Sequence, residues 1–289
     1  MILKDLIRKQ ELLKRHDSTL ERNRIVGLLR KAGASVEDDA ARLMSAINLT
    51  HEHFRSCRTK EQALDLMIDR LESNQVLVSR SVQHYMPQRL SHVEFSGMTI
   101  RDSKVPYIFL AGGDHGDHQE PVGRTTFTST LMTVLVARRI FSRVTWSAES
   151  TASDLGREYD IAGAMLMPAN SLRAFSLVSL DEVEAAADLC KVTPSAVVVR
   201  ALRLGLIPSD IARSHLAELR REFLSRPAHG GRSAIRPENA VRKYAGRELS
   251  RRMLEVLDSG AISSKDFYRA VCLNKIRDSH LDDLRRAVR

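Results

Sequence analysis

The segment Phe127–Phe141, FTSTLMTVLVARRIF, constrains this chain more than any other stretch of it. Apolar residues run nearly all the way round its helical wheel, and no charge appears before Arg138. A helix of that kind cannot lie on a surface and has to be enclosed by other elements. At 289 residues, the chain is long enough for one large domain or two ordinary ones to provide the enclosure.

Three apolar runs upstream read as strands: Gln75–Ser79, Val93–Ile100 and Val105–Ala111, the last two joined by a turn at Arg101–Lys104. Helical spacing marks Val36–Ile47, with Val36, Ala40, Leu43 and Ile47 on one face, and Glu61–Ser73, with Leu64, Met67, Ile68 and Leu71. Met1–Lys31 is charged and helix-prone but lacks a strong period. A polar loop of turn formers, Gly112–Gly123, precedes the buried helix. Beyond it the pattern is helical: Ser153–Met167, stopped by Pro168, then Asp181–Cys190 and Ser195–Leu204 in a helix–turn–helix pattern about Val192-Thr193-Pro194, then Pro208–Phe223. After a linker-like Ser225–Ser233 come Glu238–Leu257, Lys265–Val271 and Asp278–Val288. The fold class expected is α+β and helix-rich, a small β-sheet with helices on it followed by a helix–turn–helix-like C-terminal subdomain. The expected division is a helical region over 1–59, a sheet-bearing domain over 60–170, a helical subdomain over 171–224 and a helical extension over 234–289.

Hydrophobic content of 43% and charged content of 28% are ordinary for a globular chain, and no apolar run is long enough to span a membrane. The first residues are rich in charge and lack a signal-peptide core, so a cytoplasmic location is expected. Three widely spaced cysteines, Cys57, Cys190 and Cys272, fit reduced core thiols better than a disulfide framework.

The net charge of +9 favours polyanions. Arg220, Arg221, Arg226, Arg232, Arg236, Arg242, Lys243, Arg247, Arg251 and Arg252 crowd one stretch, against only Glu222, Glu238 and Glu248. That stretch reads as a site for nucleic acid or for an acidic protein partner, or else as a solvated basic face. In the helix–turn–helix pattern, Arg200 and Arg203 could approach DNA, but Val197, Val198 and Val199 make the second helix apolar for a groove-facing element and favour a packed subdomain. The loop carries Asp114, His115, Asp117, His118 and Glu120; His115 and His118 are its low-ranking metal candidates, with no rigid element to hold them. No phosphate loop and no paired nucleophile stand out, and no cofactor is expected.

Several local signatures, in order, carry a family resemblance. Glu94-Phe95-Ser96-Gly97-Met98 is similar to an EFRGF strand, Pro106–Asp114 to a PxIFINGxD strand and loop, Phe127-Thr128 to the start of an FTLxHExxH helix, and Ala162–Pro168 to an AAxLLMP helix end. Leu64–Val78, Asp181–Ile207 and Tyr244–Val288 fit the surrounding order. From about Lys60 onwards the chain resembles the ImmA/IrrE zinc peptidases. The resemblance implies a zincin-like arrangement of helices on the sheet. It places the two zinc-binding histidines and the catalytic glutamate at Leu131, Leu135 and Met132, none of which can ligate zinc or act as a base. The third ligand would fall near Leu155 or Gly156, with Glu158 about one turn off, and the usual asparagine is Ala111. A pseudo-peptidase without catalytic residues is therefore expected, acting as a regulatory module on a protein partner. The resemblance implies that active members of that family, often carried by phages and mobile elements, act on helix–turn–helix repressors. The rival expectations are a DNA-binding regulator and a peptidase with relocated ligands.

Overall fold

A computed structural model of the chain describes residues 1–88, 90, 95–112, 120–145, 156–225 and 235–289. A small mixed sheet lies at its centre. Strands β1 (Leu77–Arg80), β2 (Phe95–Ile100), β3 (Tyr107–Leu110) and β4 (Arg143–Thr145) are arranged in the order β1-β3-β2-β4. β1 runs parallel to β3, and β2 is antiparallel to both β3 and β4.

Alternate side chains of a strand point to opposite faces. Val78, Ile108 and Leu110 enter one hydrophobic core, and Leu77, Tyr107 and Phe109 enter another. These strands are apolar on both faces and need a helical layer on each side, which is why they read as continuous apolar runs.

The first layer is formed by α2 (Val36–Ala46), α4 (Lys60–Glu72), α5 (Val122–Arg138), α6 (Arg157–Leu166), α8 (Leu180–Cys190), α9 (Pro194–Arg203) and α10 (Ser209–Ser225), with the short α3 (His51–Ser56) and α7 (Ala169–Leu172). The second is formed by α1 (Ile2–His16), α11 (Pro237–Ala245), α12 (Arg247–Asp258), α13 (Ser264–Ala270) and α14 (Leu281–Val288). The described fold is thus α+β and helix-rich. The two ends of the chain share one core: Ile2, Leu6 and Leu13 of α1 pack with Tyr244, Met253 and Phe267 against one face of the sheet.

Polar atoms fasten that second layer. The last carbonyls of a helix lack partners within it. The Ser79 and Tyr107 hydroxyls donate to the Tyr244 and Ala245 carbonyls at the end of α11. Beneath them, the buried Lys9 ammonium donates to Asp5 Oδ2 at 2.6 Å, and the Tyr244 hydroxyl donates to the same oxygen at 2.9 Å. Lys9 Nζ also sits 5.2 Å from the centre of the Tyr244 ring.

Several boundaries differ from the sequence pattern for local reasons. The long helix expected over Glu238–Leu257 is broken at Gly246, whose φ is 93°. A Cβ there would lie 2.7 Å from the Val78 carbonyl oxygen and 2.9 Å from Glu72 Oε1, so only glycine fits. The helix-prone start is helical only to His16; farther on, the Gly27 and Leu29 amides donate to the Val136 and Ala137 carbonyls at the end of α5. β4 was not expected, being short and polar. Among the described residues, no helix is long and apolar enough to cross a membrane.

Glu72 makes the stability of this arrangement depend on pH. It is buried at the end of α4 and accepts from the Glu248 amide at the start of α12. Burial pushes its carboxyl from an ordinary 4.5 up to about 7, outweighing that hydrogen bond. Between those values the folded chain binds more protons than the unfolded chain, so stability falls as pH rises through the window, by about 3 kcal/mol in total. Glu72→Gln is expected to reduce this dependence, leaving the part that the buried Glu120 contributes over the same window, when urea unfolding is compared near pH 5 and near pH 8.

Candidate functional site

The site that the sequence singled out is the middle of α5. This helix is longer towards its N-terminus than expected: Pro121 caps it, Val122 begins it, and Arg139, with a φ of 63°, ends it before Phe141. Four of its buried serines and threonines bond to the helix's own backbone. Thr126 donates to the Val122 carbonyl, Ser129 and Thr130 to that of Thr126, and Thr133 to that of Ser129. Returning their hydroxyls to the helix's own backbone lets these residues sit in an apolar setting.

Leu131, Met132 and Leu135 are 2%, 0% and 8% exposed and belong to the core between α5, α4, α6 and the sheet. Met132 reaches the sheet through a gap left by Gly97. A Cβ on Gly97 would lie 2.4 Å from Met132 Cε, 3.2 Å from its sulfur and 2.1 Å from the Phe109 carbonyl oxygen. The glycine of the EFSGM stretch and the methionine on α5 are thus shaped to each other.

α6 is held against this core by ion pairs with three neighbouring elements. Arg157 donates to the buried Asp39 of α2, with its Nη2 at 2.8 Å. Arg138 of α5 donates from Nε to Glu158 at 3.2 Å, and Arg203 of α9 donates from Nε to Asp160 at 2.6 Å. Glu158, the acid nearest the expected third-ligand position, is therefore engaged one turn beyond Leu135. Leu155 lies outside the described residues.

At the head of α5, Glu120 is buried, with Arg124 Nε 3.4 Å from its Oε1. Burial pushes the Glu120 carboxyl up to about 7, against the opposing effects of Arg124 and a Ser96 hydroxyl hydrogen bond. The sequence pattern places Glu120 in a solvated polar loop, whereas its side chain is buried beside Ser96 of β2 and Arg124 of α5. Asp114, His115, Asp117 and His118 lie outside the described residues. Among the described residues, no group of three or more His, Cys, Asp or Glu side chains is placed to hold a metal ion.

In the helix–turn–helix pattern, both arginines considered for DNA turn inward. Arg203 pairs with Asp160, and Arg200 is buried against Gly163 of α6. Val197, Val198 and Ala201 fill the core on the same helix.

The basic stretch is divided between the layers. Arg220 and Arg221 are exposed on α10, whereas Arg236, Arg242, Lys243, Arg247 and Arg251 lie at or on α11 and α12. Acids distant in sequence engage several of them. Arg247 pairs with Asp69, and Arg252 with Asp17 and Glu248. Arg251 pairs with Glu248 and Glu255, and Arg242 donates to the Ala287 carbonyl. Arg226 and Arg232 lie outside the described residues.

The sequence reading missed a cavity where α2, α6 and α9 meet, holding Glu37, Asp160, Arg200 and Arg203. Only the positions of Arg200 and Arg203, both charged on an otherwise apolar helix, could have pointed to it. Comparison of the chain with family models, curated proteins and solved structures found no match.

Proposed function

We propose that this chain is a non-catalytic counterpart of the ImmA/IrrE metallopeptidases, working as a regulatory module that binds a protein partner without cutting it. A helix–turn–helix repressor, or another regulator of a phage or mobile element, is the partner the resemblance suggests. The observation that carries the reading is the set of residues on α5. Hydrolysis in that family requires two imidazoles and a carboxylate where this chain has Leu131, Leu135 and Met132. These side chains can neither hold zinc nor accept a proton from water. Their burial makes them part of the core, and replacing them with unpaired polar groups would cost about 1–3 kcal/mol each.

Protein binding is favoured over DNA binding by the inward turn of Arg200 and Arg203 and by the internal ion pairs of the basic helices. The test is native mass spectrometry of the full chain, supplied with zinc and mixed with a helix–turn–helix repressor. The expected result is a complex containing the repressor at its full mass. Repressor fragments would overturn the non-catalytic reading. A DNA complex that weakens steeply with salt, with no protein complex, would favour a DNA-binding regulator.

A further inference from the structure

We propose that the cavity between α2, α6 and α9 binds an aliphatic carboxylate, carried by a small organic acid or by an acidic peptide. This cavity is an open cleft of about 430 Å³, lined by Val36, Glu37, Asp160, Arg200, Arg203 and Leu204.

Arg200 is the reason to look for a ligand. Its side chain is only 6% exposed, and it fits because Gly163 has no Cβ, which would lie 3.1 Å from Arg200 Cδ and 3.4 Å from its Nε. Nε of this guanidinium has no hydrogen-bond partner among the described residues, and Nη2 has only a long contact to Glu37. Burying a charge with unmade hydrogen bonds is unfavourable unless an acceptor arrives.

Neither neighbouring acid fills that role. Asp160 Oδ1 is 3.7 Å from Arg200 Nη1 and already accepts from Arg203 Nε at 2.6 Å. Glu37 Oε1 is 3.5 Å from Nη2, an ion pair at the long limit of hydrogen bonding, and its side chain is 59% exposed on the first turn of α2. Glu37 is a loose internal stand-in that balances the charge and can swing into solvent.

The class of ligand follows from the charges. Among the described residues the lining carries two arginines and two acids, and with Glu37 swung out that lining is left with one positive charge. One planar monoanion with two acceptor oxygens matches the guanidinium fork. A phosphate dianion would meet extra repulsion from Asp160. Val36 and Leu204 offer apolar contact to an aliphatic stem.

The test is an NMR titration of the ¹⁵N-labelled full chain, following the Arg200 Nε–H signal. The probes are butyrate, a short end-blocked peptide with one glutamate, and inorganic phosphate. A saturable shift is expected with a carboxylate probe and weaker binding with phosphate. Tighter binding of the peptide than of butyrate assigns the carboxylate to a protein partner; any other order assigns it to a free acid. Glu37→Gln is expected to tighten carboxylate binding roughly fivefold, because it removes the internal competitor. Arg200→Lys keeps the charge but loses the fork, and is expected to abolish saturation. No saturation in either the parent chain or Glu37→Gln would overturn the proposal. So would tighter binding of phosphate, binding unchanged by Glu37→Gln, or binding that survives Arg200→Lys. If Arg200→Lys fails to fold, the Glu37→Gln comparison decides alone.

Discussion

Gly97→Ala is expected to lower the stability of this protein by about 3 kcal/mol, a large fraction of what a domain of this kind possesses. The added methyl would sit 2.1 Å from the Phe109 carbonyl oxygen and 2.4 Å from Met132 Cε. The two contacts can be separated. A methionine tip can move, but the Phe109 carbonyl belongs to β3, paired with β2 through Gly97 and Leu110. Met132→Ala removes a fully buried side chain and is itself costly, so the comparison is with that variant. Gly97→Ala added to Met132→Ala should cost less than Gly97→Ala in the parent but still destabilise, because the backbone conflict persists. Urea unfolding of the parent, the two single variants and the double variant measures this. A double variant as stable as Met132→Ala alone would mean that the strand yields easily and that Met132 alone sets the fit. The result matters for the proposed function, in which Met132 stands where an active peptidase would carry its catalytic glutamate.

Lys9→Met is expected to produce the second large loss, also about 3 kcal/mol. Lys9 is buried in the layer where the two chain ends meet, and burial lowers its pKa despite the attraction of Asp5. Methionine preserves the stem but leaves the Asp5 carboxylate with the Tyr244 hydroxyl as its remaining partner in this network. An uncompensated buried charge is costlier than the absence of the whole pair. The double variant Lys9→Met/Asp5→Leu should thus be markedly more stable than Lys9→Met alone. Equal stability of the two would show that the ammonium contributes through packing and not by balancing the acid.

How much of this was legible in the sequence depended on the range of the interaction. The strands at 77–80 and 107–110 could be read because apolar residues on both faces leave an unbroken run. α5 could be read because a helix without a polar face has one destination. Its buried threonines and serines follow from local hydroxyl-to-backbone bonds that the sequence does not display. The break at Gly246 was hidden because the glycine answers to the Val78 carbonyl and Glu72, both far away in the chain. The basic stretch looked unbalanced for the same reason: Asp17 and Asp69, which pair with Arg252 and Arg247, are remote in sequence. The valines of α9 already favour a packed subdomain over a DNA-facing helix, but the surroundings of Arg200 and Arg203 are set by Gly163 and Asp160 on α6, which the local pattern does not show.

The proposed function rests on the claim that α5 carries packing residues where a zinc peptidase carries chemistry. The most direct measurement is the native mass of the purified full chain after supply with zinc, recorded before and after a chelator. The account predicts the mass of the chain alone in both spectra. A species heavier by one zinc ion, stoichiometric with the chain and removed by the chelator, would contradict it.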